Sequence, residues 1–220
     1  MILPWTVGLA LLGAAVVATR WATRRTDVLG RRRAFPYGSV IALLVVAAIA
    51  AVPWILRVWL ENELGAAATR FVGASATVHC QTFGEAFVDA GAELGYVAFR
   101  PDGVPEHHTL IKRRQCSDLA SYLHSDMSNP TMEQVVAVHT LTHEAVHMSG
   151  ETDEAKTECF AVQRDAEMAR LLGAPDAGAA RLADDYWISI YPRMPDPYRS
   201  SQCTPGGPLD VHSPFSPWRP

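Results

Sequence analysis

Two long apolar runs open the chain and set its organisation. Residues Ile2–Thr19 are almost wholly apolar, and Val40–Leu56 form a second run without a charge. Each run is about 17 residues long, the short end of the roughly 17–25 residues with which a helix crosses a bilayer. The second run becomes comfortably long when residues 58–60 are added. The pattern therefore predicts two transmembrane helices, over residues 1–19 and 39–60.

The segment between these runs, residues 20–38, is strongly basic. It holds one acidic residue, Asp27, and six arginines: Arg20, Arg24, Arg25, Arg31, Arg32 and Arg33. Basic loops stay on the cytoplasmic side of a membrane. We therefore expect a multi-pass protein of the cell membrane with a cytoplasmic loop, and with its N-terminus and residues 61–220 outside the cytoplasm. A cleaved signal peptide is the alternative for the first run, but it normally needs a basic start, and nothing basic precedes Ile2.

The remaining sequence changes character and reads as one domain over residues 61–190. Glu61–Gly73 is rich in alanine and predicts a helical stalk. Two stretches with β-branched and aromatic residues, Ala76–Cys80 and Gly95–Arg100, predict strands. The turn signal Pro101-Asp102-Gly103 follows the second, so a returning strand over His108–Lys112 would complete a β-hairpin.

Helical periodicity dominates the second half of this domain. The clearest helix starts at Asn129-Pro130, where an asparagine cap precedes a proline at the first helical position, and it ends near Met148 before Gly150. The other predicted helices are Ser117–His124, Asp153–Leu172 and Pro175–Ile190. The fold class is therefore α+β, mainly α, with a small β-hairpin.

The last segment, residues 191–220, is a proline-rich tail. Its eight prolines are Pro192, Pro195, Pro197, Pro205, Pro208, Pro214, Pro217 and Pro220. Prolines at this density disfavour helix and regular sheet. We expect an extended tail that packs on the domain and is fastened by Cys203.

Charge differs sharply between the two parts of the chain. Residues 1–60 carry seven arginines and one aspartate, a net charge of +6, whereas residues 61–220 carry 12 basic and 22 acidic residues, a net charge of −10. Nucleic-acid binding requires clustered cations. The acidic outer domain therefore excludes nucleic acid as the expected partner and leaves the lipid bilayer and a peptide, protein or cell-wall peptide substrate.

All four cysteines fall in the predicted outer domain, at Cys80, Cys116, Cys159 and Cys203. An even number of cysteines in an oxidising compartment predicts two disulfides. Three pairings are possible, and we favour Cys80–Cys116 with Cys159–Cys203, one in each half of the domain. A thiolate zinc site is disfavoured because no CxxC spacing is present.

Candidate chemistry is concentrated in the pentad His143-Glu144-Ala145-Val146-His147. Residues four apart lie on one face of a helix, so both imidazoles can bind one zinc ion, as in the HExxH motif. Glu144 would then lie beside the open coordination position and act as general base on bound water. The pentad follows the second apolar run by about 85 residues, which argues against an intramembrane protease.

A catalytic zinc needs a third protein ligand, and the string Glu154-Ala-Lys-Thr-Glu158-Cys-Phe160 resembles the glutamate helix of the gluzincin metallopeptidases, the thermolysin-like group. The resemblance implies that Glu154 binds zinc and that Glu158, one turn later, orients His143. It covers about 20 of the 220 residues, and the linker Met148–Asp153 is far shorter than in thermolysin-like enzymes. The segment is also similar to actinobacterial membrane proteins with an HExxH and a downstream Glu-Cys pair.

Two other third ligands remain open. His143–Asp153 also spells HExxHxxGxxD, which resembles the metzincin pattern with Asp153 in place of the usual histidine and Met194 as a Met-turn. Against this, Asp153 opens what reads as a continuous helix, whereas metzincins leave the motif in irregular chain. Glu158 is the second alternative.

Other residues have a functional and a structural interpretation. His139 continues the line of His143 and His147 and is either a fourth ligand, a proton shuttle or a hydrogen-bonded neighbour. His107 and His108 lie in the predicted hairpin, whose edge could bind a peptide by strand addition, and Lys112–Arg114 reads as a solvated face. Candidates to stabilise an oxyanion are Tyr186, Tyr191 and Tyr198.

The function expected from these patterns is a membrane-anchored zinc metallopeptidase with a zincin-like domain outside the cytoplasm. The metal site would be a helix-loop-helix with His143, His147 and Glu154 as Zn²⁺ ligands. The alternative from another class is a non-enzymatic, disulfide-stapled surface protein with a structural zinc or no metal. A zinc amidase acting on cell-wall peptides is a third possibility that these residues do not separate from a peptidase.

Overall fold

The computed structural model describes residues 2–24, 26, 30–31, 34–86, 91 and 93–218, with the side chains from residue 6 onwards. Six residues of the predicted basic loop and the last two residues of the predicted tail lie outside this part; the six are Arg25, Asp27, Val28, Leu29, Arg32 and Arg33. The chain divides into two compact units, Met1–Trp59 and Leu60–Pro220. The predicted α+β class, mainly α, is confirmed.

The first unit contains helix α1 (Ile2–Thr23) and most of helix α2 (Tyr37–Val72). Both are long and apolar enough to cross a membrane, with a mean hydropathy of 1.4 over Thr6–Thr23 and 2.6 over an 18-residue stretch of α2. The second predicted span and the predicted stalk form one continuous helix. Pro53 lies inside this helix, and residues 54–64 hold neither glycine nor proline to end it.

The second unit begins with the end of α2, and a three-stranded sheet follows, made of β1 (Thr77–Cys80), β2 (Gly95–Phe99) and β3 (Pro105–Ile111). β2 and β3 are antiparallel neighbours, as the hairpin prediction requires, while β1 pairs with β3 in parallel. β3 is therefore the central strand. The hypothesis that His107 and His108 mark an edge strand was wrong, because β1 pairs with the outer side of β3. A short helix, α3 (Phe83–Ala86), follows β1 and was not predicted.

Four helices complete the unit: α4 (Arg113–Leu123), α5 (Met132–Met148), α6 (Glu154–Leu171) and α7 (Asp176–Ser189). α5 contacts α4, α6, α7, β2 and β3 and is buried on nearly every side from Gln134 to Met148. Its cap is Thr131, not the predicted Asn129, because Thr131 and Gln134 form a reciprocal capping box that satisfies two free amides of the first turn. α4 begins four residues earlier than predicted, at Arg113, and Arg113 and Arg114 are exposed.

Two disulfides tie the unit together, Cys80–Cys116 and Cys159–Cys203, the pairing that the sequence analysis favoured. The second joins α6 to the tail. The tail is less extended than expected, because it forms two 3₁₀ turns, Tyr191–Arg193 and Asp196–Tyr198, each with a proline in its first two positions. It packs back on α7 through Trp218, whose ring lies 5.2 Å from that of Trp187.

Candidate metal centre

The centre of the second unit is unusual because α5 buries polar side chains. His139, His143, Glu144 and His147 are 4%, 8%, 5% and 6% exposed. Buried polar groups need partners. Thr140 and Thr142 on the same helix are satisfied by carbonyls one turn back, at 2.8 and 3.0 Å. The three histidines and the glutamate do not bond a carbonyl one turn back in the helix. The groups that surround them therefore define the site.

Three ligand atoms converge at the end of α5. His143 Nε2 and His147 Nε2 lie 3.1 Å apart, and Glu154 Oε2 lies 3.1 Å from the first and 3.5 Å from the second. Glu154 reaches this point because the α5–α6 connection is short and turns at Gly150, whose φ is +108°. Left-handed backbone of this kind favours glycine.

The far nitrogens of both imidazoles are already used. His143 Nδ1 donates to Glu158 Oε2 at 2.9 Å, and His147 Nδ1 donates to the carbonyl of Glu151 at 2.7 Å. With those tautomers, which follow from the partners, both Nε2 atoms carry a lone pair towards the Glu154 carboxylate. Three electron-pair donors face one another, so a cation must lie among them or one of them must hold a proton. These residues could hold a metal ion.

The electrostatics of the site favour positive charge at the same point. Burial opposes protonation of His143, but hydrogen bonds to Glu154 and Glu158 outweigh it and raise its pKa to about 9. The hydrogen bond from His143 is the main reason that the pKa of Glu154 is lowered to about 2. A group of donors that holds a proton this firmly in the metal-free protein is also suited to binding a metal cation, which competes for the same lone pairs.

Glu144 lies beside this group without a complete set of partners. Its Oε2 is buried and has no hydrogen-bond partner among the described residues. Burial raises the pKa of its carboxyl to about 7. On its other side is β2, where a Cβ at Gly95 would lie 2.9 Å from Glu144 Oε1. A buried carboxylate oxygen without a partner can accept a hydrogen bond or a proton from a bound molecule such as water.

A second layer of side chains stands behind His143. Glu158 Oε2 accepts from His143 Nδ1 and lies 3.0 Å from His139 Nε2, while Glu158 Oε1 accepts from the Tyr186 hydroxyl at 2.6 Å. His139 Nδ1 lies 2.8 Å from Asp165 Oδ2. His139, His143 and Glu158 are spaced so that they could also hold a metal ion, but His139 points away from Glu154 and towards two carboxylates.

A cleft of about 340 Å³ opens over the three ligand atoms. β2 forms one wall, and the other walls come from α5, α7 and the tail, including Val136, Ile190, Met194 and Tyr198. The ring of Phe99 lies edge-on to His147 at 6.1 Å, and Tyr198 lies 6.1 Å from the ring of His143. The site is therefore accessible from one side.

The structure separates the remaining candidates. Asp153 is the N-cap of α6, and its Oδ1 accepts from the amide of Lys156 at 2.9 Å. It is not in the group with His143 and His147 that could hold a metal ion, although Met194 lines the cleft. The hydroxyl of Tyr186 is bonded to Glu158. Tyr191 is occupied by the backbone of Ser200, donating to its carbonyl and accepting from its amide. Tyr198 alone of the three tyrosines combines a cleft position with a hydroxyl for which no protein partner is seen in the described part of the chain.

Sequence reasoning missed Asp165 and Gly95. Asp165 had a detectable signal, since Glu154, Glu158 and Asp165 are spaced by four and seven residues and so lie on one face of α6, opposite the histidines of α5. Gly95 had none, because its role depends on how β2 crosses α5.

Comparison of the chain with family models, curated proteins and solved structures gave no match. The geometry of the site therefore carries the functional argument.

Proposed function

We propose that this protein is a membrane-anchored zinc metallopeptidase whose active domain lies outside the cytoplasm. The observation that carries the proposal is the convergence of His143 Nε2, His147 Nε2 and Glu154 Oε2 beside the orphaned carboxylate of Glu144. Three protein ligands with an open side are typical of catalytic zinc, whereas structural zinc is closed by four.

The spacing of the donors supports zinc in particular. In a tetrahedral site with bonds of about 2.0–2.1 Å, neighbouring ligand atoms lie roughly 3.3 Å apart. The observed separations are 3.1, 3.1 and 3.5 Å. Two imidazoles and one carboxylate are ligands that zinc accepts readily, and both imidazoles have the second hydrogen bond that fixes a ligating tautomer.

Zinc in this site would supply a Lewis acid that acidifies water and polarises the scissile carbonyl. Glu144 Oε2 would accept the proton of the attacking water as the new C–O bond forms. The same carboxyl group would then deliver that proton to the amide nitrogen, so the C–N bond breaks and the products are a carboxylate and an amine. The raised pKa of Glu144, about 7, suits a group that both accepts and releases a proton near neutral pH.

β2 is suited to holding an extended substrate. Within the described residues it is an edge strand, paired only with β3, and its residues Gly95–Val97 line the cleft. An unpaired strand edge can hydrogen-bond the backbone of a peptide by strand addition. This supports a peptide as substrate. The strand to which the peptide would add is β2 and not β3, the strand proposed from the sequence.

Gly95→Ala tests the approach of β2 to the general base. The added methyl group would lie 2.9 Å from Glu144 Oε1 and 3.0 Å from Ile111 Cδ1, so the carboxylate has to move. We expect kcat/KM to fall about 10- to 100-fold, the cost of a misplaced catalytic group, with metal content unchanged. Gly84→Ala is the control, because a Cβ there meets nothing within 4 Å. Equal activity of both variants would contradict this placement.

Tyr198 is the residue we assign to stabilise the oxyanion. Among the described residues that line the cleft there is no lysine or arginine, so we choose a tyrosine hydroxyl as the side-chain donor. Burial, with the nearby carboxylates of Glu154 and Glu158, raises the pKa of Tyr198, which keeps its proton in place.

Tyr198→Phe is expected to lower kcat about 100-fold, the low end for loss of one oxyanion donor because zinc also polarises the carbonyl. The metal content and KM should change little. Tyr191→Phe is the matched control, since its hydroxyl bonds the tail backbone, and it should keep full kcat. Equal kcat values for the two variants would remove Tyr198 from the mechanism.

The membrane location rests on three features. α1 and α2 are long and apolar enough to span a bilayer. The basic segment between them favours a cytoplasmic loop. The two disulfides of the second unit indicate an oxidising environment, as expected outside the cytoplasm.

The proposed activity is tested by incubating the zinc-loaded full-length protein, in detergent micelles, with a mixture of unstructured peptides. Mass spectrometry should detect fragments with new termini that arise from hydrolysis of internal peptide bonds. A zinc chelator and the Glu144→Gln variant should each abolish cleavage. Intact peptides after incubation with zinc-loaded wild-type protein would favour the non-enzymatic surface protein. In a parallel incubation with cell-wall peptides, cleavage of those peptides alone would favour the amidase.

A further inference from the structure

The side chains behind His143 form a longer chain of contacts than a metal ligand requires. His143 Nδ1 needs one acceptor, and Glu158 provides it. Two further buried residues continue the chain beyond Glu158. His139 Nε2 lies 3.0 Å from Glu158 Oε2, and Asp165 Oδ2 lies 2.8 Å from His139 Nδ1. Asp165 is fully buried and Glu158 is 1% exposed.

The hydrogen bonds define the charge on His139. Its Nε2 faces Glu158 and its Nδ1 faces Asp165. When both carboxyls are ionised they can only accept, so both ring nitrogens donate, and a ring with two N–H groups is an imidazolium. The ring of Tyr186 stacks on it, with centroids 3.5 Å apart and planes 14° apart. His139 is therefore a buried cation enclosed by two carboxylates and an aromatic face.

Such an arrangement is costly for folding alone. Buried ion pairs lose their hydration, and apolar residues of similar volume often serve stability as well or better. Around it, α5 and α6 are packed with apolar side chains such as Val138, Leu141 and Val162, all 0% exposed. A charged triad at this depth, in direct contact with the acceptor of a metal-binding imidazole, points to a role in the metal site.

We propose that His139, held by Asp165, is a positioning residue that fixes the Glu158 carboxylate so that His143 presents Nε2 to the metal. The inference rests on the proposed metal site. Glu158 receives hydrogen bonds from His139 and His143 on one oxygen and from Tyr186 on the other. Its plane is thereby fixed from three directions. The positive charge of His139 also offsets part of the negative charge that Glu158 places next to His143.

The test measures zinc affinity of the full-length protein by competition with a chromophoric chelator, together with the visible spectrum of the cobalt-loaded protein. His139→Gln is expected to weaken zinc binding about 10- to 100-fold, the usual cost of losing a group that orients a ligand, and to change the cobalt spectrum. Asp165→Asn keeps the shape of the side chain and should weaken binding about 3- to 10-fold.

Val138→Ala is the control. It creates a cavity in the same helix at a residue outside the hydrogen-bonded chain, so it should lower the melting temperature and leave zinc affinity and the cobalt spectrum unchanged. Should His139→Gln fail to fold, Tyr186→Phe removes one hydrogen bond to Glu158 without removing charge, and about 3- to 10-fold weaker zinc binding is expected.

Folded variants that bind zinc within twofold of wild type would overturn the inference, as would an equal loss of affinity in Val138→Ala. Failure of the inference about His139 is distinguishable from failure of the proposed function. Wild-type protein that binds neither zinc nor cobalt contradicts both, whereas wild-type protein with one metal and variants that match it contradict the role of His139 alone.

Discussion

Glu144→Gln is expected to keep the metal and to lose peptide hydrolysis by about 10²- to 10⁴-fold in kcat, the usual contribution of a positioned general base. Glutamine has the shape of glutamate and fits against Gly95, but it cannot accept a proton from water. The carboxyl is 5% exposed and its Oε2 has no partner in the described part of the protein, so this oxygen is free to accept the proton of water.

The same substitution should stabilise the metal-free protein above neutral pH. Burial raises the pKa of Glu144 from 4.5 to about 7, so the folded state holds this proton more firmly than the unfolded state. Wild-type stability is then lost as pH rises through that window, and an uncharged glutamine side chain at this position removes the loss. Melting curves at pH 5 and pH 8 should show a clearly larger difference between variant and wild type at pH 8.

Glu133→Gln is the matched control for the activity measurement, since it makes the same change on an exposed residue in the first turn of the same helix. It should retain wild-type kcat. Peptide hydrolysis by zinc-loaded Glu144→Gln at the wild-type rate would mean that another group accepts the proton.

Glu154→Ala is expected to abolish both metal binding and activity. Its Oε2 is the single carboxylate oxygen within 3.5 Å of both imidazole Nε2 atoms in the described site. Without it, two neutral nitrogens remain, and the site loses its negative ligand. We expect zinc to bind at least about 100-fold more weakly, more than is lost when a residue that merely orients a ligand is changed.

The choice of third ligand can be tested with two companion variants. Asp153→Asn keeps a side chain that caps α6 and should bind zinc as wild type does, because the Asp153 carboxylate accepts from Lys156 rather than facing the histidines. Glu158→Gln should give an intermediate loss, about 10- to 100-fold. Full zinc binding by Glu154→Ala with loss in Asp153→Asn would instead favour the metzincin pattern.

Local patterns predicted the helices well because their signals are local. The apolar runs, the HExxH spacing and Gly150 and Gly173 after the helix ends are all read from neighbouring residues. The same is true of the β2–β3 hairpin, whose strands are joined by a short turn. Asn129 was one exception, since Thr131 with Gln134 offers a reciprocal cap that competes with it. The short α3 and the first turn of α4 were also missed.

The parts that could not be predicted depend on contacts between distant segments. β1 pairs with β3 across about 30 residues, and this pairing decides which strand is the free edge. The choice of Tyr198 over Tyr186 and Tyr191 depends on how the tail folds back after α7, which the Cys159–Cys203 disulfide helps to fix. Whether His139 contacts the metal or Glu158 depends on the rotation of α5 against α6.

The most direct test of the account is the zinc content of the purified full-length protein, measured beside Glu144→Gln and Glu154→Ala. We expect one equivalent in the wild type, one equivalent in Glu144→Gln and close to none in Glu154→Ala, as the proposed zinc site requires. Wild-type protein that remains free of metal after zinc supplementation would contradict it, and so would a full equivalent in Glu154→Ala.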